Sequence, residues 1–348
     1  MSPEFAARHW YRLSPVSIVL LPLSLLFSLL VRLRRGLYRL GILRSFRLAV
    51  PVVVVGNLTV GGTGKTPLAL WLAADLQRRG RRPAILCRGY GGTDAGPREV
   101  RKDDAAARVG DEPLLLARRS GCPVWIGRDR VAAGNALLAA RPDRDVVVCD
   151  DGLQHYRLQR DFEIAVEDAR GHGNGLLLPA GPLREPADRP VDALVVNCEP
   201  ADRPVDALAL NRKAGTALQQ RHAARAFDMR LESRGFYFVH DPRRVLAADE
   251  IGGKRLHAVA GIGDPQRFFS LLRRLGLAPV CHAFPDHHAY SPAELDYRDC
   301  DLVLMTEKDA VKCAGFGRSD LIALRVDAML DPALSDFIYS RLHGHASA

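Results

Sequence analysis

The sequence predicts an α/β chain: a doubly wound, mostly parallel sheet, followed by a second, smaller α/β domain and preceded by an N-terminal membrane-associated helix. Three observations carry this expectation. From residue 48 onward, short apolar β-branched runs alternate with helical stretches, as strands do when helices cover both faces of a sheet. A glycine-rich loop joins the first such run to the first helix, the position at which a doubly wound sheet builds a ligand site. Residues 14–31, SPVSIVLLPLSLLFSLLV, carry no charge and lie between arginines.

Composition narrows the class further. A length of 348 residues with 47% hydrophobic content is enough for about two domains and excludes wholesale disorder. The 7 cysteines are scattered and include no C-x-x-C pair, which excludes a disulfide framework and a thiolate zinc site and fits a reducing, cytosolic environment. Of the net charge of +9, residues 1–47 hold +7, from eight arginines against Glu4. The rest of the chain is nearly neutral, so nucleic acid is not an expected partner.

In order along the chain, the first element is the arm over 1–47. Eighteen residues, 14–31, reach ~27 Å as a helix against a hydrocarbon core of about 30 Å, so a tilted span and a partly buried hairpin or interfacial segment are both open. Pro22 is expected to kink it. Next, RLRRGLYRLGILRSFR repeats Leu33, Leu37, Leu40, Leu43 and Phe46 at spacings of three and four, with six arginines between them, which predicts a basic helix on anionic lipid. If the arm spans, those arginines place the remainder at the cytoplasmic face.

The domain over 48–225 is expected to begin with a strand at Val50–Val55 and a helix from Lys65 to about Arg79, stopped by Gly80. Strands follow at Ala84–Cys87, Val124–Ile126, Val146–Cys149, Phe162–Val166 and Ala193–Val196, with helices at Glu112–Arg119 and Arg128–Ala140. PADRPVDAL occurs at Pro186–Leu194 and again at Pro200–Leu208, read as a duplication that lengthens a surface connection. Over 226–250, Ser233-Arg234-Gly235 signals the turn of a hairpin-like linker. The domain over 251–348 has strands at Leu256–Ala260, Pro279–Phe284, Leu302–Met305 and Leu321–Val326, with helices starting at Asp264-Pro265 and Ser291-Pro292.

The chemistry starts at Thr59-Val60-Gly61-Gly62-Thr63-Gly64-Lys65-Thr66. Between a buried strand and a helix, such a loop turns backbone N–H groups onto phosphate oxygens, Lys65 reaches the outer phosphates and the Thr66 hydroxyl suits Mg2+. Thr59 stands where the full G-x-x-x-x-G-K-[ST] pattern has glycine. The fold is therefore expected to be P-loop NTPase-like. A partner carboxylate belongs at the end of a neighbouring strand, and Asp150 and Asp151 of DVVVCDDG supply it. Thr306-Glu307-Lys308-Asp309 follows a strand but lacks the Asn-Lys-x-Asp spacing of guanine recognition, which leaves ATP as the expected nucleotide. Arg88 and Tyr90 of RGYGG either cover phosphate or sugar or belong to a plain connecting loop.

Taken together, VGNLTVGGTGKTP, RGYGG, VGDEPLLLA, DDGLQH, LPAGPLREP, AGIGDPQRFF, FPDHHAY and MTEKDAVKC resemble, in order and over nearly the whole chain, the tetraacyldisaccharide 4′-kinases of Gram-negative bacteria. The resemblance implies ATP and Mg2+ as cofactors, with Lys65 and Thr66 on the phosphates and metal, and Asp150, Asp151 and Glu185 shaping the metal site. It implies Asp111 and His287 as an acid–base pair on a sugar hydroxyl, with His155 and Arg184 lining the cleft. It also implies an acylated disaccharide lipid substrate met at the cytoplasmic face of the bacterial inner membrane, with membrane lipid as the other partner and no protein partner. Read singly, Asp111 also suits a helix N-cap, His287 an exposed loop, His155 a structural role and Arg184–Glu185 a surface ion pair. A membrane-tethered P-loop ATPase switch acting on a protein is the alternative, although it leaves Asp111, His287 and the second domain without a task.

Overall fold

The computed structural model describes residues 8–198 and 225–343. Helices α1 (Pro15–Val19) and α2 (Leu21–Arg39) come first. They are followed by β1 (Val52–Gly56), α3 (Lys65–Arg78), β2 (Pro83–Cys87), β3 (Arg98–Val100), α4 (Ala106–Val109), α5 (Asp111–Arg119), β4 (Val124–Ile126), α6 (Arg130–Ala140), β5 (Val146–Asp150), β6 (Phe162–Asp168) and β7 (Ala193–Asn197). After residue 224 come β8 (Arg225–Phe238), β9 (Val245–Leu246), β10 (Leu256–Ala260), α7 (Pro265–Arg274), β11 (Val280–Ala283), β12 (Leu302–Thr306), α8 (Glu307–Cys313), β13 (Leu321–Leu330) and α9 (Pro332–His343).

Among the described residues all strands join one sheet in the order β11-β10-β12-β13-β8-β7-β6-β1-β5-β2-β4-β3, with β9 paired to β8. The β3–β4, β8–β9 and β8–β13 pairs are antiparallel and the rest parallel. The alternation of strand side chains explains why β1 is apolar throughout. Val53 and Val55 pack with Leu68 and Leu72 of α3, while Val52 and Val54 pack with Leu137 of α6. The strands of the second half have their own cores, built by Ala258, Leu304 and Phe269 on one face and by Val259, Val303 and Met305 on the other. Leu334, Ile338 and Leu342 of α9 return to the α3 side of the first core.

Strand β8 sets the architecture. Its residues Arg225–Met229 pair in parallel with β7, while Met229–Phe238 pair antiparallel with β13. The second half is thus displaced beyond the carboxyl ends of the first half's strands. Because β13 reverses direction, the carboxyl ends of β10 and β12 point back at those of β1, β2 and β5. The expected hairpin turn at Ser233-Arg234-Gly235 is corrected: these residues lie inside β8, at a register shift opposite Leu324 and Val326. Gly235, at φ +88°, serves a bulge there, since a Cβ would stand 2.9 Å from the Leu246 carbonyl of β9. The chain reverses later, where Arg244 N donates to Asp241 O.

Three further expectations change. The apolar run is two helices rather than one kinked helix: α1 ends at Val19, and Pro22 lies in the first turn of α2, where a proline needs no N–H donor. No helix among the described residues is long and apolar enough to cross a membrane. The arginine-rich stretch is not a separate helix, because α2 continues to Arg39 and Phe46 then pairs with the 157–159 segment. At Ser291-Pro292 only a 3-10 turn, Pro292–Leu295, forms under a capping box. The first PADRPVDAL copy is no spacer: it buries Arg189 and opens β7, whereas the second copy lies outside the described residues.

Candidate active site

The loop after β1 is held from both sides. Arg184 N donates to Leu58 O at 2.7 Å and Val60 N to Pro182 O at 2.8 Å, so Thr59 bridges to Leu183 of the LPAGPLREP segment. Asn57 Nδ2 donates to Gly61 O and Asn197 Nδ2, at the end of β7, to Thr63 O. Gly61 and Gly64 take φ values of +114° and +103°, and a Cβ on Gly64 would sit 2.7 Å from Asn197 Nδ2. Only glycine fits there. The space in front of Gly62 is open, and α3 begins at Lys65 with its first-turn N–H groups turned toward the loop.

Lys65 Nζ lies 3.6 Å from Asp151 Oδ1, and Arg184 Nη1 lies 3.2 Å from the same carboxylate. Burial opposes ionisation of Asp151, but Lys65 and Arg184 hold its carboxyl below the usual carboxylate range. Asp150 is different. Burial, then the nearby Glu112 carboxylate, push it up to about 7 against the pull of Lys65. Its Oδ1 accepts from Asp151 N, and Asp151 takes φ +49°, a left-handed conformation uncommon outside glycine.

Across the gap, Asp111 opens α5 and is 4% exposed. Its carboxylate lies 2.9 Å and 3.0 Å from His287 Nδ1. His287 also takes a left-handed φ, +61°, with its N–H tied to Gly261 O. Burial works against ionisation of both partners, yet their mutual hydrogen bond prevails: Asp111 is held below its ordinary value and His287 above. Lys308 Nζ closes the cluster at 3.1 Å from Glu112, 3.2 Å from Asp286 and 3.4 Å from His287 Nε2. The Tyr90 ring stands 5.0 Å from that of His287 and is exposed, as is Arg88. Backbone contact explains the glycines between them: a Cβ on Gly110 would meet Tyr90 O at 2.4 Å, and one on Gly92 would meet Arg108 O at 2.4 Å.

The two clusters share one cleft, because Gly263 of the AGIGDP loop packs on Gly62, with 3.4 Å between its Cβ position and Gly62 N. Asp309, fully buried, fixes that loop by accepting from Gly261 N and from the Thr306 hydroxyl. Glu185 Oε2 accepts from Tyr156 OH at 2.6 Å and pairs with Arg189 at 3.0 Å, in a buried network that reaches Glu163, while its buried Oε1 has no partner among the described residues. His155 lies on the loop after Asp151, partly buried, with Nε2 unpartnered among the described residues. Burial, reinforced by the field of Arg130, lowers its pKa to about 4.

Sequence reasoning missed Arg170, Asn197, Glu112 and Lys308. Arg170 Nη2 donates to Gly62 O while Asp168 grips its guanidinium, an arrangement that no local spacing announces. Lys308 sat within a segment that carried the family resemblance but whose chemistry was weighed only for base recognition.

Comparison with known proteins agrees with this geometry. The family model described as tetraacyldisaccharide-1-P 4′-kinase matches residues 16–343. A tetraacyldisaccharide 4′-kinase of Azoarcus sp. strain BH72 is 49% identical over 346 residues, covering 99% of this chain and 97% of that one. One from Dechloromonas aromatica strain RCB is 46% identical over 352 residues and covers 100% of both chains. Among solved structures, LpxK of Aquifex aeolicus, crystallised in an "apo" form in complex with ATP, superposes with a TM-score of 0.75 at 29% identity, over 94% of this chain and 99% of that one. With sequence and fold in agreement over nearly the whole chain, this chain belongs to the tetraacyldisaccharide-1-P 4′-kinase family.

Proposed function

We propose that this chain moves the γ-phosphoryl group of ATP to the 4′-hydroxyl of a tetraacylated glucosamine disaccharide 1-phosphate, the step that gives lipid A its second phosphate. The observation that carries the reading is the Asp111–His287 contact of 2.9 Å, made between residues 176 positions apart at the mouth of the phosphate loop. A sugar hydroxyl is a poor nucleophile at neutral pH, and the pair can take its proton as the oxygen attacks phosphorus. The β–γ bridging bond breaks as the new P–O bond forms, and ADP leaves. Lys65 and the α3 N-terminus neutralise the outer phosphates, while Gly263 and Asp286 wall the cleft against water. An ATPase switch gives Asp111 and His287 no part, and nothing in the geometry favours it.

The residues fit Mg2+. Among the described residues no three or more His, Cys, Asp or Glu side chains gather as a metal cage. Mg2+ does not need one, since it keeps waters and substrate phosphates as ligands. Asp150 is a buried carboxylate with no cation bonded to it among the described residues, and with Asp151 and the Thr66 hydroxyl it would hold the ion. When bound, Mg2+ neutralises charge on the transferring phosphates.

The arm fits work at the cytoplasmic face of a bacterial inner membrane. Ser14, Ser17 and Ser24 are buried against the body, whereas Ile18, Leu23, Leu26, Leu30 and Leu33 are each more than half exposed. This inverted arrangement supports an apolar face lying in the interface beside the lipid substrate. Mixing purified protein, Mg-ATP and the disaccharide 1-phosphate tests the reading. Equal amounts of ADP and 4′-phosphorylated lipid are expected, and ADP release without phosphorylated lipid would overturn it.

A further inference from the structure

We propose that Lys308 is a positioning residue of the acid–base pair: its ammonium holds His287 as the neutral tautomer with the proton on Nδ1. Donors and acceptors on the two sides of the ring fix the tautomer. An ammonium donates and never accepts, so a hydrogen bond between Lys308 Nζ and His287 Nε2, 3.4 Å apart, needs an unprotonated Nε2. On the other side of the ring, the ionised Asp111 carboxylate only accepts, so Nδ1 at 2.9 Å must carry the proton. A doubly protonated ring would aim Nε2–H at a cation.

Other groups face the ring too. Asp111 approaches from the first turn of α5, Asp286 from His287's own loop with Oδ2 3.8 Å from Nε2, Lys308 from α8 with Glu112 bound to its far side, and the Tyr90 ring from the loop after β2. Burial draws the imidazole pKa down and the Asp111 hydrogen bond draws it up. Lys308 draws it down, against the fields of Asp111 and Asp286, and the net direction is upward. Lys308 is thus the cation that restrains two carboxylates from converting the ring to imidazolium. It is well placed to persist as a cation, since Glu112 and Asp286 both bind it and its own pKa is raised in spite of burial. The arrangement also ties α5 of the first half to the His287 loop of the second through one nitrogen. A sequence segment set aside as a failed base-recognition motif thereby acquires a task at the reacting hydroxyl.

For its catalytic consequence the inference rests on the kinase reading; for the tautomer it does not. The test is histidine side-chain NMR on the full-length, 15N-histidine-labelled protein, with His287 assigned by its loss in His287→Gln, followed by kcat/KM against pH. In the unsubstituted protein at pH 8, His287 should show a protonated Nδ1 and a bare Nε2. In Lys308→Met its titration and the acidic limb of the pH profile should both move upward by about one pH unit or more, the scale set by one removed charge near a partly buried group. Lys308→Arg should restore most of that shift. A proton on Nε2 in the unsubstituted protein would overturn the proposal even if no variant folded. So would a Lys308→Met protein that loses turnover equally at every pH while the His287 titration stays put, which is the signature of a merely structural lysine. Absence of lipid phosphorylation would remove the kinase reading and leave the NMR result to decide the tautomer.

Discussion

Two non-glycine residues of the cleft, Asp151 and His287, hold left-handed backbone conformations, each on a loop that delivers a charged group to the phosphate path. Strain at such positions persists only where the surroundings over-determine it, as Lys65 and Arg184 do for Asp151 and as Asp111 and Gly261 do for His287. Lys65→Ala should lower turnover by about 10²-fold or more at saturating ATP while leaving the melting temperature close to that of the parent, because it removes a charge from a loop braced independently by Asn57 and Asn197. Near-normal turnover would contradict the phosphate-loop assignment. His155 makes a prediction about pH. Its folded-state pKa of about 4 lies below the ordinary 6.5, so the unfolded chain takes up a proton first as pH falls. The associated stability is complete above pH 6.5 and is lost on acidification toward pH 4. Thermal melts at pH 7.5 and pH 5 should therefore show a larger drop for the parent than for His155→Gln; equal drops would mean that burial and the field of Arg130 do not hold the ring neutral. At this scale the sequence announced the residues that bear chemistry through local motifs. What it hid were partners recruited from elsewhere in the chain. Arg184 pairs with Asp151 while the adjacent Glu185 binds Tyr156 and Arg189 through Oε2, and adjacency in sequence carries no information about those partners.

Elements were legible where one periodicity acted alone. The strands β1, β5 and β12 lie within a residue or two of where the hydrophobic runs place them, because burial on both faces keeps polar residues out until the carboxyl end, where Asp150 and Thr306 stand. Strand β8 was misread because Gly235 satisfies two different needs, a turn or a bulge, and only its neighbour β9 decides between them. The arm was half legible: its apolar length was evident, but serine and leucine exchange their usual places in it. Ser24 Oγ donates to Leu177 O at 2.7 Å, and Ser14 caps α1, so the small polar residues dock the helices while the leucines face outward. Replacing Leu23, Leu26 and Leu30 together by Gln should move the protein from the membrane fraction toward the soluble one with little change in melting temperature, since none of the three is buried in the body. Retention on membranes would point to a further lipid-binding surface. Gly110→Ala tests a contact between elements. Its φ of +92° and the 2.4 Å approach to Tyr90 O leave no room for a methyl group, so α5 or the RGYGG loop must shift, at a cost of about 1–3 kcal/mol. A fully stable, fully active variant would show that the two loops do not pack as described.

On the scale of the whole molecule, function depends on how one long strand joins two sets of parallel strands running in opposite directions. The carboxyl ends of β1, β2 and β5 bring the phosphate loop, the RGYGG loop and the aspartates, and those of β10 and β12 bring the Gly261–Gly263 and Lys308 segments from the opposite side. A doubly wound sheet ordinarily offers its ligand one edge. Here two edges face each other, so a nucleotide on one side and an acceptor hydroxyl between them can be enclosed without a separate lid. That architecture predicts how the proposed acid–base pair, Asp111 and His287, behaves. Asp111 belongs to the first set and His287 to the second, and their contact of 2.9 Å exists only while the edges are closed. Asp111→Ala and His287→Ala should each lower kcat by about 10²-fold or more, the range of a positioned general base, and should change ATP affinity much less, since neither touches the phosphate loop. If the pair acts as one unit, either substitution already disables it, and the double variant should lose little more than the worse single one. Fully multiplicative losses would sink the paired role. They would mean that each edge contributes its own step, and that the closure seen between Gly263 and Gly62 serves to exclude water rather than to assemble the base.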